Sequence, residues 1–176
     1  MIVQLTGKLI DKQEDFIVLD CNGIGYQLFI PTSVYNQAPE LNKEFTVFTY
    51  HHIREDQQLL FGFISQQQKK LFNLLTSVSG VGPKVAIKIL SGYTTDQLIA
   101  AILESNLNVL TSISGVGKKM AERLLIECKD KVPKLFDSLP IVQSTDTAFS
   151  ISSTSAIPND VLMALKSLGY SKDEIK

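Results

Sequence analysis

This chain offers little material for redox or metal chemistry. It has two cysteines and two histidines in 176 residues. Cys21 and Cys128 form no CxxC pair and have no metal-ligand spacing, so both are expected to be reduced core thiols. His51 and His52 are adjacent and are expected to line the end of a strand. No apolar run approaches the ~18 residues of a membrane span. Met1 to Ile10 is too short and too polar for a signal peptide, which makes the cytoplasm the expected compartment and a membrane partner unexpected. A nucleotide-binding P-loop, GxxxxGK[ST], is also missing. Gly117-Lys118 is followed by Lys119, and Ser112 stands where the first glycine should be. No cofactor and no intrinsic catalysis are expected, and any ATP hydrolysis must come from a partner.

A strong charge of either sign is absent too. The net charge is −1, in a composition 44% hydrophobic and 20% charged that is typical of soluble globular proteins. The distribution is uneven, however. Residues 1–62 carry a net −4, residues 63–142 a net +4 and residues 143–176 a net −1. Local charge, not the total, sets the attraction for phosphate.

The basic segment holds an internal repeat. Ser77–Leu90 reads SVSGVGPKVAIKIL and Ser112–Leu125, 35 residues on, reads SISGVGKKMAERLL, with eight of fourteen positions identical. A repeat of this size is one supersecondary unit used twice. Before it, residues 1–63 read as strands over Ile2–Ile10, Phe16–Cys21, Tyr26–Ile30, Phe45–Tyr50 and Leu59–Phe63, rich in β-branched and aromatic residues, with Asn22-Gly23 as a turn. Five short strands without a long helix suggest a small barrel of OB type, with a sandwich as the other pattern-level possibility. Residues 64–142 take up helical period. Ser65 with Gln68 has the spacing of a capping box, Pro83 suits a first helical turn, and Gly92 suits a helix stop. Thr94 with Gln97 opens a helix through Leu103, Asn106–Ile113 makes a short one, and Lys118–Lys129 a longer one. The pattern is two helix–hairpin–helix units joined by a connecting helix. Residues 143–158 are half Ser or Thr and are expected to be a flexible linker. Asn159 then caps a last helix, and Ser171 with Glu174 announces another just before Lys176.

Each glycine loop predicts a sharp turn between two helices. Glycine supplies positive φ and close backbone approach. The first N–H groups of the second helix lack intrahelical partners and, with the helix dipole, attract phosphate. Gly80, Val81, Gly82 and Lys84, with Lys88 one turn on, form the first set of candidate DNA contacts. Gly115, Val116, Gly117, Lys118 and Lys119, with Arg123, form the second. Such contacts read backbone, not base sequence. Other readings stay open at the level of residues. A nuclease would draw on His51, His52, Glu55 and Asp56, and a glycosylase on Asp130 and Lys131, although a charged helix end accounts for the latter pair more simply. A general duplex-binding repair scaffold or a nuclease accessory subunit would use the hairpins alone.

Four stretches carry a more specific likeness: NGIGYQLFIP (22–31), REDQQLLFGF (54–63), SGVGPKVAIKILSG (79–92) and SGVGKKMAERLLIECKDK (114–131). In these the chain resembles the RuvA family, the Holliday-junction-binding subunits of the bacterial RuvAB branch migration complex. The likeness runs nearly unbroken through residues 1–142 and resumes after the linker. It implies an α+β multidomain protein: an N-terminal OB-fold β-barrel (1–63), an all-α tandem helix–hairpin–helix domain (64–142), a linker (143–158) and the start of a small, UBA-like helical C-terminal domain (159–176). It implies a homotetramer, one or two of which hold four-way junction DNA open and planar, with the ATPase RuvB as motor and the resolvase RuvC in a larger assembly. It also implies that Glu55 and Asp56 form an acidic pin at the junction centre, and that Leu162, Leu165, Leu168 and Tyr170 contact the motor. The family's third domain is a complete three-helix unit, whereas this chain supplies one helix and the beginning of a second.

Overall fold

A computed structural model describes residues 1–136 of the chain. The expected linker, the helix after Asn159 and the residues Leu162, Leu165, Leu168 and Tyr170 lie outside the described residues.

Five strands close into a barrel in the order β1-β2-β3-β5-β4, the arrangement of an OB-fold. They are β1 (Gln4–Lys12), β2 (Phe16–Cys21), β3 (Ile24–Phe29), β4 (Glu44–Ile53) and β5 (Gln58–Phe63). The Asn22-Gly23 turn between β2 and β3 has positive φ at both residues, 56° and 88°, as a two-residue hairpin demands. The Asp20 carboxylate accepts the Gly23 N–H at 2.7 Å. Alternation along the strands fills the barrel with Leu9, Ile17, Leu19, Leu28 and Val47, all fully buried.

Only β2 has the limits expected from sequence; β3 begins two residues before Tyr26 and ends at Phe29, β5 begins one residue before Leu59, and β1 and β4 differ more. β1 starts at Gln4, where pairing to Phe48 of β4 begins, and runs on to Lys12, paired with Ile17 across a register shift between Leu9 and Asp11. β4 runs to Ile53, paired with Gln58, so β4 and β5 form a hairpin stem longer than their apolar residues mark out. A short helix absent from the reading, α1 (Thr32–Gln37), packs Val34 and the following Ala38 into the barrel core. Its six residues are too few for a periodic signal.

Six helices follow: α2 (Gln66–Thr76), α3 (Pro83–Gly92), α4 (Thr95–Leu103), α5 (Leu107–Thr111), α6 (Lys118–Lys129) and α7 (Lys131–Phe136). Pro83 stands in the first turn of α3, and α3 stops at Gly92. Thr94 and Gln97 form a complete capping box. Ser65 and Gln68 form only half of one. Ser65 Oγ accepts the Gln68 N–H at 3.1 Å, but the Gln68 side chain is drawn elsewhere. Its Oε1 accepts the Ile64 N–H at 3.2 Å and its Nε2 donates to Ser33 Oγ of α1 at 2.7 Å. This buried amide thereby ties α2 to the barrel. The short α7, also unforeseen, adds Val132 and Phe136 to the helical core.

Barrel and helices share one apolar core along β5. Phe61 and Phe63 belong to the same cluster as Leu71, Phe72 and Leu75 of α2. Phe72 lies 4.8 Å from Phe63, 5.4 Å from Phe61 and 5.2 Å from Tyr50, measured between ring centroids. Aromatic pairs of this kind contribute about 0.5–1.5 kcal/mol each beyond their buried area.

The two cysteines differ. Cys128 is fully buried among the helices, and burial pushes its thiol up to about 11. Cys21 is only half-buried, a correction to its expected core position; its thiol is also raised, by burial and then by the Asp20 carboxylate. Since the thiolate is the nucleophile, Cys128 in the folded chain should resist iodoacetamide at pH 8 while Cys21 reacts slowly. Peptide mass spectrometry should show both labelled quickly in urea. Rapid native labelling of Cys128 would contradict this packing.

Candidate nucleic-acid interface

The sequence repeat is a repeat of backbone geometry. In the first hairpin, α2 ends at Ser77 (φ −75°, ψ −15°) and Gly80 has φ 91°. Gly82 then caps α3 at φ −80°, ψ 166°. In the second, α5 ends at Ser112 (φ −72°, ψ −15°), Gly115 has φ 90°, and Gly117 caps α6 at φ −78°, ψ 164°. Even the polar contacts recur. Thr76 and Thr111 donate to the carbonyls of Phe72 and Leu107, each at 3.0 Å. Ser77 and Ser112 donate to those of Leu74 and Val109 at 2.7 and 2.8 Å.

The candidate contact residues separate into anchors and free groups. Val81 and Val116 are each 4% exposed, and their N–H groups donate to the carbonyls of Val78 and Ile113 at 3.0 Å. Their side chains pin each loop to the core and their amides are spent inside it, so neither residue is a donor to an outside phosphate. That corrects their place in the sequence reading. By contrast, Gly82, Lys84, Gly117, Lys118 and Lys119 have N–H groups without a protein acceptor among the described residues. These are the orphan donors of two helix starts. Lys84, Lys88, Lys118 and Lys119 are exposed, and none is in a salt bridge among the described residues. Arg123 is engaged with Glu127 at 2.7 Å on the surface of α6. An exposed i,i+4 pair is worth at most about 0.5 kcal/mol, so a phosphate can compete for the guanidinium.

The glycines divide in the same way. Gly80 and Gly115 have a backbone conformation that side chains resist. Gly82 and Gly117 have ordinary φ, and a Cβ on either would meet no atom of the described residues within 4 Å. The fold does not need glycine there. A Cβ there would stand in open space at the helix start.

Tertiary structure adds residues that motif reading missed. Tyr93 Oη and Ser112 Oγ share a hydrogen bond of 2.8 Å, tying the end of α3 to the second loop. Beside it, a cavity of about 440 Å³ is lined by Lys88, Ser91, Tyr93, Ser112 and Ser114. Lys88 therefore belongs to the space between the hairpins as well as to the first one. A tyrosine just past a helix end carries no sequence signal for such a bridge.

Glu55 and Asp56 stand together at the tip of the β4–β5 hairpin. The Arg54 N–H closes the turn on the Gln57 carbonyl at 2.9 Å, and all residues from Ile53 to Gln58 are exposed. Among the described residues Arg54 makes no salt bridge to its acidic neighbours. Its Nε donates to His52 Nε2 at 3.3 Å. His51 and His52 lie in the last turnings of β4, at a strand end as expected. Among the described residues no three His, Cys, Asp or Glu side chains are grouped so as to hold a metal ion, and no helix is long and apolar enough to cross a membrane.

Comparison with known proteins agrees with this geometry. Residues 1–62 match the family model of the RuvA N-terminal domain, and residues 72–130 match that of the SAM-like helix-hairpin-helix tandem. Over its full length the chain is 43% identical to a Geobacter metallireducens protein named Holliday junction branch migration complex subunit RuvA, covering 86% of that relative. Proteins of the same name from Magnetococcus marinus and Shewanella piezotolerans are 41% and 40% identical over 99% and 97% of the chain, which covers 85% of each.

The glycine division can be tested by substitution. Gly80→Ala and Gly115→Ala should each lower folding stability by about 1–2 kcal/mol, from the left-handed strain. Gly82→Ser and Gly117→Ser place a favoured N-cap residue and should leave stability within about 0.5 kcal/mol of the parent. Thermal and urea melts distinguish the two pairs; a large loss from Gly82→Ser would mean that the fold itself requires the glycine.

Proposed function

Because the chain belongs to the RuvA family, we propose that it binds four-way junction DNA without sequence specificity. On this reading it holds the junction in an open, planar form for branch migration during recombination and repair. The observation that carries this reading is the pair of matching helix starts, each with an unobstructed glycine and with amides and lysines that have no partner among the described residues. Two such grips at a fixed separation suit two stretches of phosphate backbone. Contacts of that kind hold DNA yet let it slide, because no base edge has to be released for movement.

In this proposal the chain is the non-catalytic subunit, and an ATP-hydrolysing partner, RuvB, supplies the force. Four copies form a homotetramer, singly or as a pair enclosing the junction, with RuvC joining to resolve it. Glu55 and Asp56 act as the acidic pin. Two exposed carboxylates side by side repel phosphate, and the repulsion grows from the ~1 kcal/mol per pair expected in water at 4 Å as DNA displaces solvent. Continuous duplex is thereby disfavoured at the hairpin tip, whereas the open centre of a junction, where strands part, accommodates it. The division into a barrel (1–63), a gripping region (64–142), a linker (143–158) and a motor-binding segment (159–176), with a cytoplasmic location, belongs to the same proposal. So does motor contact through Leu162, Leu165, Leu168 and Tyr170.

A competition gel with labelled four-way junction against linear duplex tests the substrate. The junction should be held at duplex excess, and equal competition would leave only a general duplex-binding scaffold. In the same assay, Glu55→Gln with Asp56→Asn should preserve or tighten junction binding while duplex becomes a better competitor. Selectivity unchanged by that pair would refute the pin. The grips are tested by Lys119→Ala. It should weaken binding to junctions of different sequence alike and lower the slope of log K against log salt by about 0.9 for each subunit whose Lys119 meets a phosphate, about 3.6 for a tetramer. A slope equal to the parent's would remove Lys119 from the interface.

A further inference from the structure

Beside the first hairpin lies a slot that the backbone grips leave unused. It has a volume of about 260 Å³ and is lined by Asp15, Phe29, Phe61, Lys84, Ile87 and Lys88. It exists because of how the barrel closes. β3 and β5 meet in parallel at a single pair, Phe29 with Phe61, so the wall is short at that seam and α3 lies across it. The two rings stand 5.8 Å apart, Phe61 almost wholly buried and Phe29 half-buried. Ile87 of α3 adds apolar lining, and the exposed Lys84, Lys88 and Asp15 form the rim.

We propose that this slot receives a single unstacked nucleobase from a DNA strand whose backbone is held by the first hairpin. The proposal rests on reading that hairpin as a backbone grip. Three observations choose this occupant. The slot is continuous with the grip, because Lys84 belongs to both. Its volume falls below the ~300–1,000 Å³ of pockets for drug-sized ligands and suits one planar ring system. Its chemistry is that of a base site, with the half-buried Phe29 ring and Ile87 as the apolar surfaces for a base and cations at the mouth for the flanking phosphates. The rim carboxylate adds a preference. Asp15 can accept a hydrogen bond from an exocyclic amine, which cytosine, adenine and guanine carry and thymine lacks. Bases leave the stack where strands separate, so a slot beside a grip would retain a strand while it waits for its new partner.

The test uses the full chain and three single-stranded oligonucleotides of equal length: oligo-dC, oligo-dT and an abasic strand with the same phosphates. Fluorescence anisotropy should show oligo-dC bound about fivefold or more tightly than the abasic strand, the lower end of what one base–aromatic contact supplies. Phe29→Leu, which keeps an apolar residue at the barrel seam and removes the ring, should bring that ratio close to one. Asp15→Ala should abolish the preference for oligo-dC over oligo-dT while both remain tighter than the abasic strand. Equal binding of dC and abasic strands by the parent, no measurable binding of oligo-dC, or a ratio unchanged by Phe29→Leu would each overturn the proposal. Four-way junction binding measured in parallel separates the two readings: a chain that holds the junction but ignores bases loses only the slot.

Discussion

The packing of Phe72 is the contact on which the functional layout depends. This one side chain of α2 touches Phe61 and Phe63 of β5 and Tyr50 of β4. The same two strands carry Glu55 and Asp56 at their tip, and the same helix runs into the first glycine hairpin. An apolar junction thus sets the relation between an acidic hairpin and a basic one. Were the two joined only by a flexible connection, the repulsive and attractive elements would act on DNA independently. Joined through a shared core, and bolted a second time by Gln68 to Ser33, they are held at a fixed separation, which under the proposed function suits a substrate of one shape.

Within the helical part the hairpins show a division of labour. Each Gly-Val-Gly places its valine in the core and leaves the helix-start amides to solvent. The first glycine serves the turn and the second serves nothing in the fold. That asymmetry distinguishes a helix corner built for packing from one built to be approached. The charge pattern agrees. Lysines without partners among the described residues follow both loops, while the one arginine in the set is loosely paired and can exchange its carboxylate for a phosphate. In the proposed function, sequence-independent holding comes from these groups, which every stretch of DNA can satisfy.

Much of this was legible in the residues, for identifiable reasons. Helices α3, α4 and α6 announce themselves by proline, capping box and glycine at fixed offsets, because local backbone chemistry decides them. The Asn22-Gly23 turn is equally local. What the sequence reading missed depends on distant partners. β1 extends past Ile10 because β2 pairs with it, and β4 runs to Ile53 because β5 does. Gln68 abandons the capping box because Ser33, 35 residues earlier, offers a buried partner. Val81 and Val116 looked like part of the contact loop, and only burial shows that they face inward.

The sequence by itself determined that two closely similar helix corners would form in a basic segment behind a small acidic barrel. Glycine conformation, proline and capping are local preferences, and net charge is a matter of counting. The tertiary structure decided which atoms of those corners remain free, how the acidic turn is fixed relative to them, and that a short seam in the barrel opens a slot beside one of them. Those properties depend on long-range packing and on which hydrogen bonds are already taken, and no local pattern of residues encodes either.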